Sequence, residues 1–349
     1  MRQAVLEKAG RFRLAEAPRP AAAPGQVLLR VKAVGICGSD LHLFREGRIG
    51  DVPIERAEGR FIPGHECMGV VEECGPGVDR GLAGARVAVD PMAHCGRCEL
   101  CLKGHQNLCP DVIFLGHPPV PGCLQEFVTL RADQVAPLPA ELSDDAGVIL
   151  EPLGVALHAI RVGGLRPGAT AAVLGSGPIG LCCTLLLSRM GISVVLATDL
   201  LDARLGLARE LGARETLNAS RDDAVAALRR LTSGRGVDYV LECAGAPEAL
   251  AQTAELACVG GRVLVLGIPA ADEDRVLFKH SSARRKGLSV FMIRRSNRTL
   301  SECIRWAMAD RLPLDRLVSH HWPLDRVQEA FDAVAGRTGG VVKGIVNPG

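Results

Sequence analysis

Between Gln26 and Val34 apolar and polar residues partly alternate, Leu29, Val31 and Ala33 against Arg30 and Lys32, which predicts a half-buried strand. As far as about residue 150 the chain keeps this texture. It is rich in Gly and Pro, with short β-like runs at Met68 to Val71, Arg86 to Val89 and Glu126 to Leu130 and little helical periodicity. The pattern predicts a mostly β, loop-rich domain.

From Thr170 the pattern changes. Apolar runs at Thr170 to Leu174 and Ser193 to Thr198 and extended segments at Asp238 to Cys243 and Arg262 to Leu266 alternate with helical stretches. Those stretches are Pro178 to Met190, Asp202 to Leu211, Asp222 to Leu231 and Pro247 to Ala257. Strands apolar on both faces and separated by helices predict an α/β fold, a doubly wound parallel sheet covered on both sides. After roughly residue 288 the alternation loosens, and a helix is expected at Ser301 to Ala309. The expected divisions are residues 1–154, 155–288 and 289–349, the parallel-sheet domain being inserted and the last segment returning to the first domain.

Composition narrows the class. The 349 residues suit two domains, and 48% hydrophobic with 23% charged residues is the make-up of a folded globular chain. The formal net charge is +2, with no basic stripe beyond Arg284-Arg285-Lys286, and aromatics are 3%, so nucleic acid is not an expected partner. The start of the chain lacks the layout of a signal peptide, and apolar runs such as Leu181 to Leu187 are too short to cross a bilayer. A soluble, cytoplasmic chain with no membrane partner is expected. Thirteen cysteines, an odd number, then favour metal ligation over a disulfide framework.

Gly175-Ser176-Gly177-Pro178-Ile179-Gly180 directly follows the run Thr170 to Leu174 and opens a helix. In a G-x-G-x-x-G of this kind the first glycine permits the tight turn and the second lets backbone approach a pyrophosphate. The third lets helix and strand pack closely. A Gly-rich turn alone says little in a chain with 40 glycines, but Asp199 ends the next strand, at the spacing expected of the acidic residue that meets the ribose. A carboxylate there accepts from both ribose hydroxyls and repels a 2′-phosphate, so NAD is expected over NADP. The expected cofactor contacts are Gly175, Gly177, Pro178, Ile179, Gly180, Asp199 and Arg204.

Cys95, Cys98, Cys101 and Cys109 form C-x2-C-x2-C-x7-C. Four thiolates so close suit a closed tetrahedral zinc site, which leaves no position for substrate and is therefore structural. His94 and His105 flank the loop, but the four sulfurs already fill the tetrahedron. Cys37-Gly38-Ser39-Asp40, Gly64-His65-Glu66 and Glu151-Pro152-Leu153 are dispersed, and no spacing rule makes them converge.

These motifs, in this order and over nearly the whole chain, resemble the medium-chain zinc alcohol dehydrogenases. The resemblance implies a Rossmann sheet inserted into a GroES-like catalytic domain, two zinc ions per chain, and hydride transfer from an alcohol to NAD. By the same likeness Cys37 and His65 bind a catalytic zinc, and Glu66 binds it or sits behind it. Glu151 lies beside the metal, as a fourth ligand or through water. Ser39 is expected near the reacting hydroxyl, His42 as the group that passes its proton outward, and Lys343 near the cofactor phosphates. Family members are commonly dimers or tetramers, so a homo-oligomer is expected.

Glu46 to Asp51 and Pro118-Pro119 before Pro121-Gly122 resemble sorbitol and xylitol dehydrogenases, which points to a polyol, sugar or cyclitol as the small-molecule alcohol. There are departures. Residues Ile54 to Phe61 read as an insertion, and Leu43 replaces an aromatic. Arg294 and Arg295 stand where polyol enzymes carry an arginine and a tyrosine that hold substrate hydroxyls. Two adjacent cations equally favour an acidic or phosphorylated substrate, since arginine donates bidentately to such groups. An amino-alcohol enzyme of the threonine dehydrogenase kind shares all the ligands.

Overall fold

The strand at Gln26 is the spine of the first unit. In the computed structural model, which describes residues 1–57, 61–270 and 278–349, Gln26–Gly35 pairs antiparallel with Glu66–Cys74 along one edge. Along the other it pairs antiparallel with Phe127–Arg131 and then Gly344–Asn347. Arg86–Val89, Val135–Pro137 and His320–Pro323 complete a seven-stranded sheet. Val27, Leu28, Leu29, Val31 and Ala33 are all fully buried, which is why the alternation in this segment is only partial. This unit comprises Met1–Glu151 and Leu300–Gly349. Of the expected insertion, Ile54–Ala57 is a 3-10 turn with Ile54 buried, Phe61 is buried, and residues 58–60 lie outside the described residues.

A helix at Asp144–Gly163 begins inside the stretch, as far as about residue 150, that shows little helical periodicity in the sequence. Val148, Ile149, Leu150, Leu153, Ala156, Leu157 and Ala159 are at most 1% exposed. A helix apolar nearly all round shows no amphipathic period, so the pattern hides it. It is long and apolar enough to cross a membrane, yet 83% of its most apolar window is buried, as in a core helix.

The second unit, Pro152–Thr299, is built on six parallel strands. Their order is Glu215–Asn218, Ser193–Asp199, Thr170–Leu174, Val237–Glu242, Ala257–Val265 and Ser289–Met292. Counted along the chain this is 3-2-1-4-5-6, the doubly wound order, and the strand order reverses between Thr170–Leu174 and Val237–Glu242. Helices Pro178–Arg189, Asp202–Glu210, Ala224–Leu231, Pro247–Leu256 and, before the last strand, His280–Lys286 lie in the connections. The expected end of this unit at residue 288 is corrected, because Ser289–Met292 pairs in parallel with Ala257–Val265 and the unit runs on to Thr299. None of its four side chains is buried, as suits a strand at the edge of the sheet, and four residues are too few to stand out as an apolar run.

Candidate functional site

The register Gly35↔Glu66 delivers two of the dispersed motifs to one end of the first sheet. Cys37 follows Gln26–Gly35 as the N-cap of the helix Gly38–Glu46, and His65-Glu66 opens the neighbouring strand. Donor atoms of Cys37, His65 and Glu66 all lie within 4.8 Å of one another, with His65 and Glu66 buried, and this set could hold a metal ion. Thiolate, imidazole and carboxylate are the donors zinc takes, and three of them leave a coordination position open.

Asp40, to which the sequence motif assigns no role, stands behind two of these residues. Fully buried, it accepts the N–H of Cys37 at 3.0 Å and that of Gly64 at 3.2 Å, and its Oδ1 lies 3.5 Å from His65 Nδ1. A carboxylate there fixes the imidazole's orientation and tautomer, as outer partners of metal ligands do. Burial alone would pull the His65 imidazole down, but Asp40 and Cys37 hold it well above its ordinary value. The only advance signal was position, one helical turn after Cys37.

Lys343 is corrected. It is not a surface cation facing phosphates: it is 1% exposed, its Nζ is paired with Glu66 Oε2, and it donates to Ile36 O at 3.0 Å. Burial works against its charge, but Glu66, Cys37 and Asp40 more than compensate and keep it protonated. Glu151 stands on the buried helix Asp144–Gly163 and is not among the three donors that cluster. Burial raises its carboxyl to about 7, with His65 and Lys343 opposing and Glu66 reinforcing the rise. Ser39 and His42 lie half-buried on the helix Gly38–Glu46, and His42 Nδ1 is 3.0 Å from Glu46 Oε1. Leu43, on the same helix, belongs to the core.

Cys95, Cys98, Cys101 and Cys109 form a second cluster whose sulfurs all lie within 4.8 Å of one another. Two of the spacings, Cys95 to Cys101 and Cys98 to Cys109, are 3.9 Å. Zinc–sulfur bonds of about 2.3 Å in a tetrahedron separate the sulfurs by about 3.8 Å, so the loop is shaped for that ion. Backbone N–H groups of Cys98 and Cys101 donate to Cys95 and Cys98 sulfurs at 3.4 Å, which favours thiolates. Backbone donors lower the Cys95 thiol to about 6, while burial pushes that of Cys101 up to about 12. His94 Nδ1 stays 3.9 Å from the Cys101 sulfur.

In the second unit the glycine turn sits where the strand order reverses. Gly175 has φ +92°, and a Cβ there would lie 2.7 Å from Ala244 N. A Cβ on Gly180 would lie 1.8 Å from Gly175 O, so only glycine lets the helix Pro178–Arg189 start this close to the strand. Gly177, beside Pro178 and Ile179, is different: the one atom within 4 Å of its missing Cβ is Arg204 Nη1, at 3.7 Å. Its backbone is therefore open to a close neighbour such as a pyrophosphate. Asp199 is held in place, its Oδ2 accepting from Ser176 N at 2.8 Å and its Oδ1 from Leu200 N and Leu201 N at 2.9 and 3.0 Å. Arg204 Nη1 lies 3.8 Å from Asp199 Oδ2. Glu242, also absent from the sequence reading, ends the strand Val237–Glu242 and accepts from Ala244 N and Gly245 N, both at 2.8 Å, which shapes the loop facing Gly175.

Arg294 and Arg295 follow the sixth parallel strand and belong to the second unit, not to the returning segment. Arg294 is exposed, and Arg295 is half-buried with φ +59°.

Residues 23–140 match the alcohol dehydrogenase GroES-like domain and residues 178–309 the zinc-binding dehydrogenase domain. A sorbitol dehydrogenase of Bacillus subtilis (strain 168) is 35% identical over 332 residues, 95% of this chain and 93% of that protein. An L-idonate 5-dehydrogenase of Vitis vinifera is 33% identical over 335 residues, 94% and 89% of the two chains. Among solved structures, one described as a zinc-binding dehydrogenase from Sinorhizobium meliloti 1021, bound to NADP, matches with a TM-score of 0.90 at 30% identity over 99% of each chain. Likeness of this extent is likeness of family, and the chain belongs to the medium-chain zinc-dependent alcohol dehydrogenases, oxidoreductases, close to their polyol dehydrogenases.

Proposed function

We propose that this oxidoreductase takes hydride from a secondary alcohol of a polyol, sugar or cyclitol and gives it to NAD, with one catalytic and one structural zinc per chain. The observation that carries the reading is the meeting of Cys37, His65 and Glu66 donor atoms within 4.8 Å, which leaves an open coordination position. Zinc held there would supply Lewis acidity that lowers the pKa of an alcohol hydroxyl, and a bound nicotinamide would supply the hydride acceptor.

The chain's own residues do the rest. Cys37, His65 and Glu66 hold the metal, with Glu151 beside it, and Asp40 orients the first two. Ser39 relays the hydroxyl proton, giving up its own as it accepts, and His42 carries a proton outward, its ring steadied by Glu46. Gly175, Gly177 and Gly180 admit the pyrophosphate, and Asp199 takes the ribose hydroxyls. A carboxylate pinned by three backbone N–H groups cannot swing away from a 2′-phosphate, which supports NAD over NADP.

Arg294 and Arg295, together with likeness to a dehydrogenase named for the sugar acid idonate, favour a second reading in which the polyol carries an acidic group. NADH and NADPH formation with polyols, cyclitols, sugar acids, sugar phosphates, threonine and simple alcohols, before and after chelation, tests both. Failure on every alcohol, or activity indifferent to zinc removal, would overturn the proposal.

We also infer a cytoplasmic homo-oligomer, a dimer or tetramer. Thirteen free cysteines suit a reducing compartment. The edge strand Ser289–Met292 exposes Val290 at 46% and Met292 at 74%, an apolar edge of the sort that pairs with another chain. Light scattering on the purified protein reads the mass directly, and a monomer would refute that part.

A further inference from the structure

Gly35, Glu66 and Lys343 are brought together by sheet register, Gly35 standing opposite Glu66 on one side and opposite Ile345 on the other. The Glu66 and Lys343 side chains are each 1% exposed and paired with each other. A Cβ at position 35 would lie 2.4 Å from Glu66 Oε2 and 2.9 Å from Lys343 Cε, so the glycine makes the space in which carboxylate and ammonium meet. Lysine is almost never buried to this degree without a partner, and here the partner is a residue that also faces Cys37 and His65.

We propose that Lys343 is a positioning residue that sets how Glu66 meets the catalytic zinc, engaging one carboxylate oxygen so that the other alone is offered to the metal. The proposal rests on the reading that zinc sits on Cys37, His65 and Glu66. Its second consequence is electrostatic. Cys37 thiolate, Asp40 and Glu66 bring three negative charges, which zinc and Lys343 together balance. Without Lys343 the pocket carries a surplus negative charge. That surplus tightens its hold on a dication and opposes loss of a proton from a substrate hydroxyl.

The test is zinc release from the whole protein to a colorimetric chelator. Cys37→Ser identifies the release phase of the catalytic site as the one it removes; if it removes none, the zinc reading itself fails. In Lys343→Met that phase is expected to slow by about tenfold. A residue that merely supported the fold would give the opposite sign, faster release, and an unchanged or faster phase overturns the proposal. In a Glu66→Gln background the same Lys343→Met substitution should change the phase far less, since the lysine acts through the carboxylate, and an equal slowing there overturns that coupling. Should Lys343→Met alone not fold, thermal melting supplies the comparison. Glu66→Gln with Lys343→Met together should melt at or above Glu66→Gln alone, which strands a buried ammonium, and a lower melting point would refute the coupling.

Discussion

The Asp40 carboxylate accepts the N–H of Cys37 at 3.0 Å, three residues back along the chain, and through its other oxygen reaches His65. One side chain thus ties together two motifs separated by 28 positions in the numbering, as the residue numbers 37 and 65 show. Asp40→Asn keeps the volume but offers one acceptor where two are used. It is expected to weaken zinc retention at the catalytic site by about 10–100-fold while leaving the cysteine loop loaded. Zinc content after dialysis against graded chelator reads both sites, and equal retention by variant and wild type would count against Asp40 as an orienting group.

The cysteine loop is predicted to stabilise without touching chemistry. Cys98→Ser removes a sulfur that also accepts the N–H of Cys101, so the loop loses a ligand and a turn contact together. Zinc content should fall by one ion per chain, and the melting temperature should drop, while freshly prepared protein still binds NADH with unchanged affinity. Fluorescence titration checks the affinity. A variant with full zinc content would place the metal elsewhere.

On the proposed reading, Asp199 and Arg204 are expected to pull cofactor choice in opposite directions. Removing the fixed carboxylate in Asp199→Ala should shift the ratio of kcat/KM for NAD over NADP by about tenfold or more toward NADP, the scale of a lost charge repulsion near a surface. Arg204→Ala should move the ratio the other way, because the guanidinium 3.8 Å from Asp199 is the nearby cation a 2′-phosphate would meet. Steady-state kinetics with both cofactors settles it, and a ratio indifferent to Asp199 would sink the assignment.

How far these sites could be read from the chain depends on how local their causes are. The glycine turn was legible because strand, turn and helix are consecutive, and the four sulfurs because they lie within one short loop. Cys37, His65 and Glu66 became neighbours through the strand register Gly35↔Glu66, which no spacing encodes. Lys343 went astray for the same reason, since its burial depends on the last strand pairing with the Gly35 end of Gln26–Gly35. The helix Asp144–Gly163 was hidden by being apolar nearly all round, and Ser289–Met292 by being only four residues long at the exposed edge of the sheet.

Asp90, which is in neither ligand set, gives a pH prediction. Burial and then the nearby Asp133 push its carboxyl up to about 6 from an ordinary 3.8, against the N–H of Met92, which donates to it at 3.0 Å. The folded chain therefore holds a proton that the unfolded chain has already released. The stabilising contribution is complete below about pH 4 and is lost as pH rises through about 6. Asp90→Asn keeps the acceptor for Met92 and never ionises, so it should be more stable than wild type at pH 7 by about 1–2 kcal/mol, with the gain vanishing below pH 4. Urea midpoints of the two proteins from pH 4 to pH 8 measure the difference, in which zinc loss at the acid end largely cancels. A difference independent of pH across that range would show that Asp90 is ionised in the folded protein throughout.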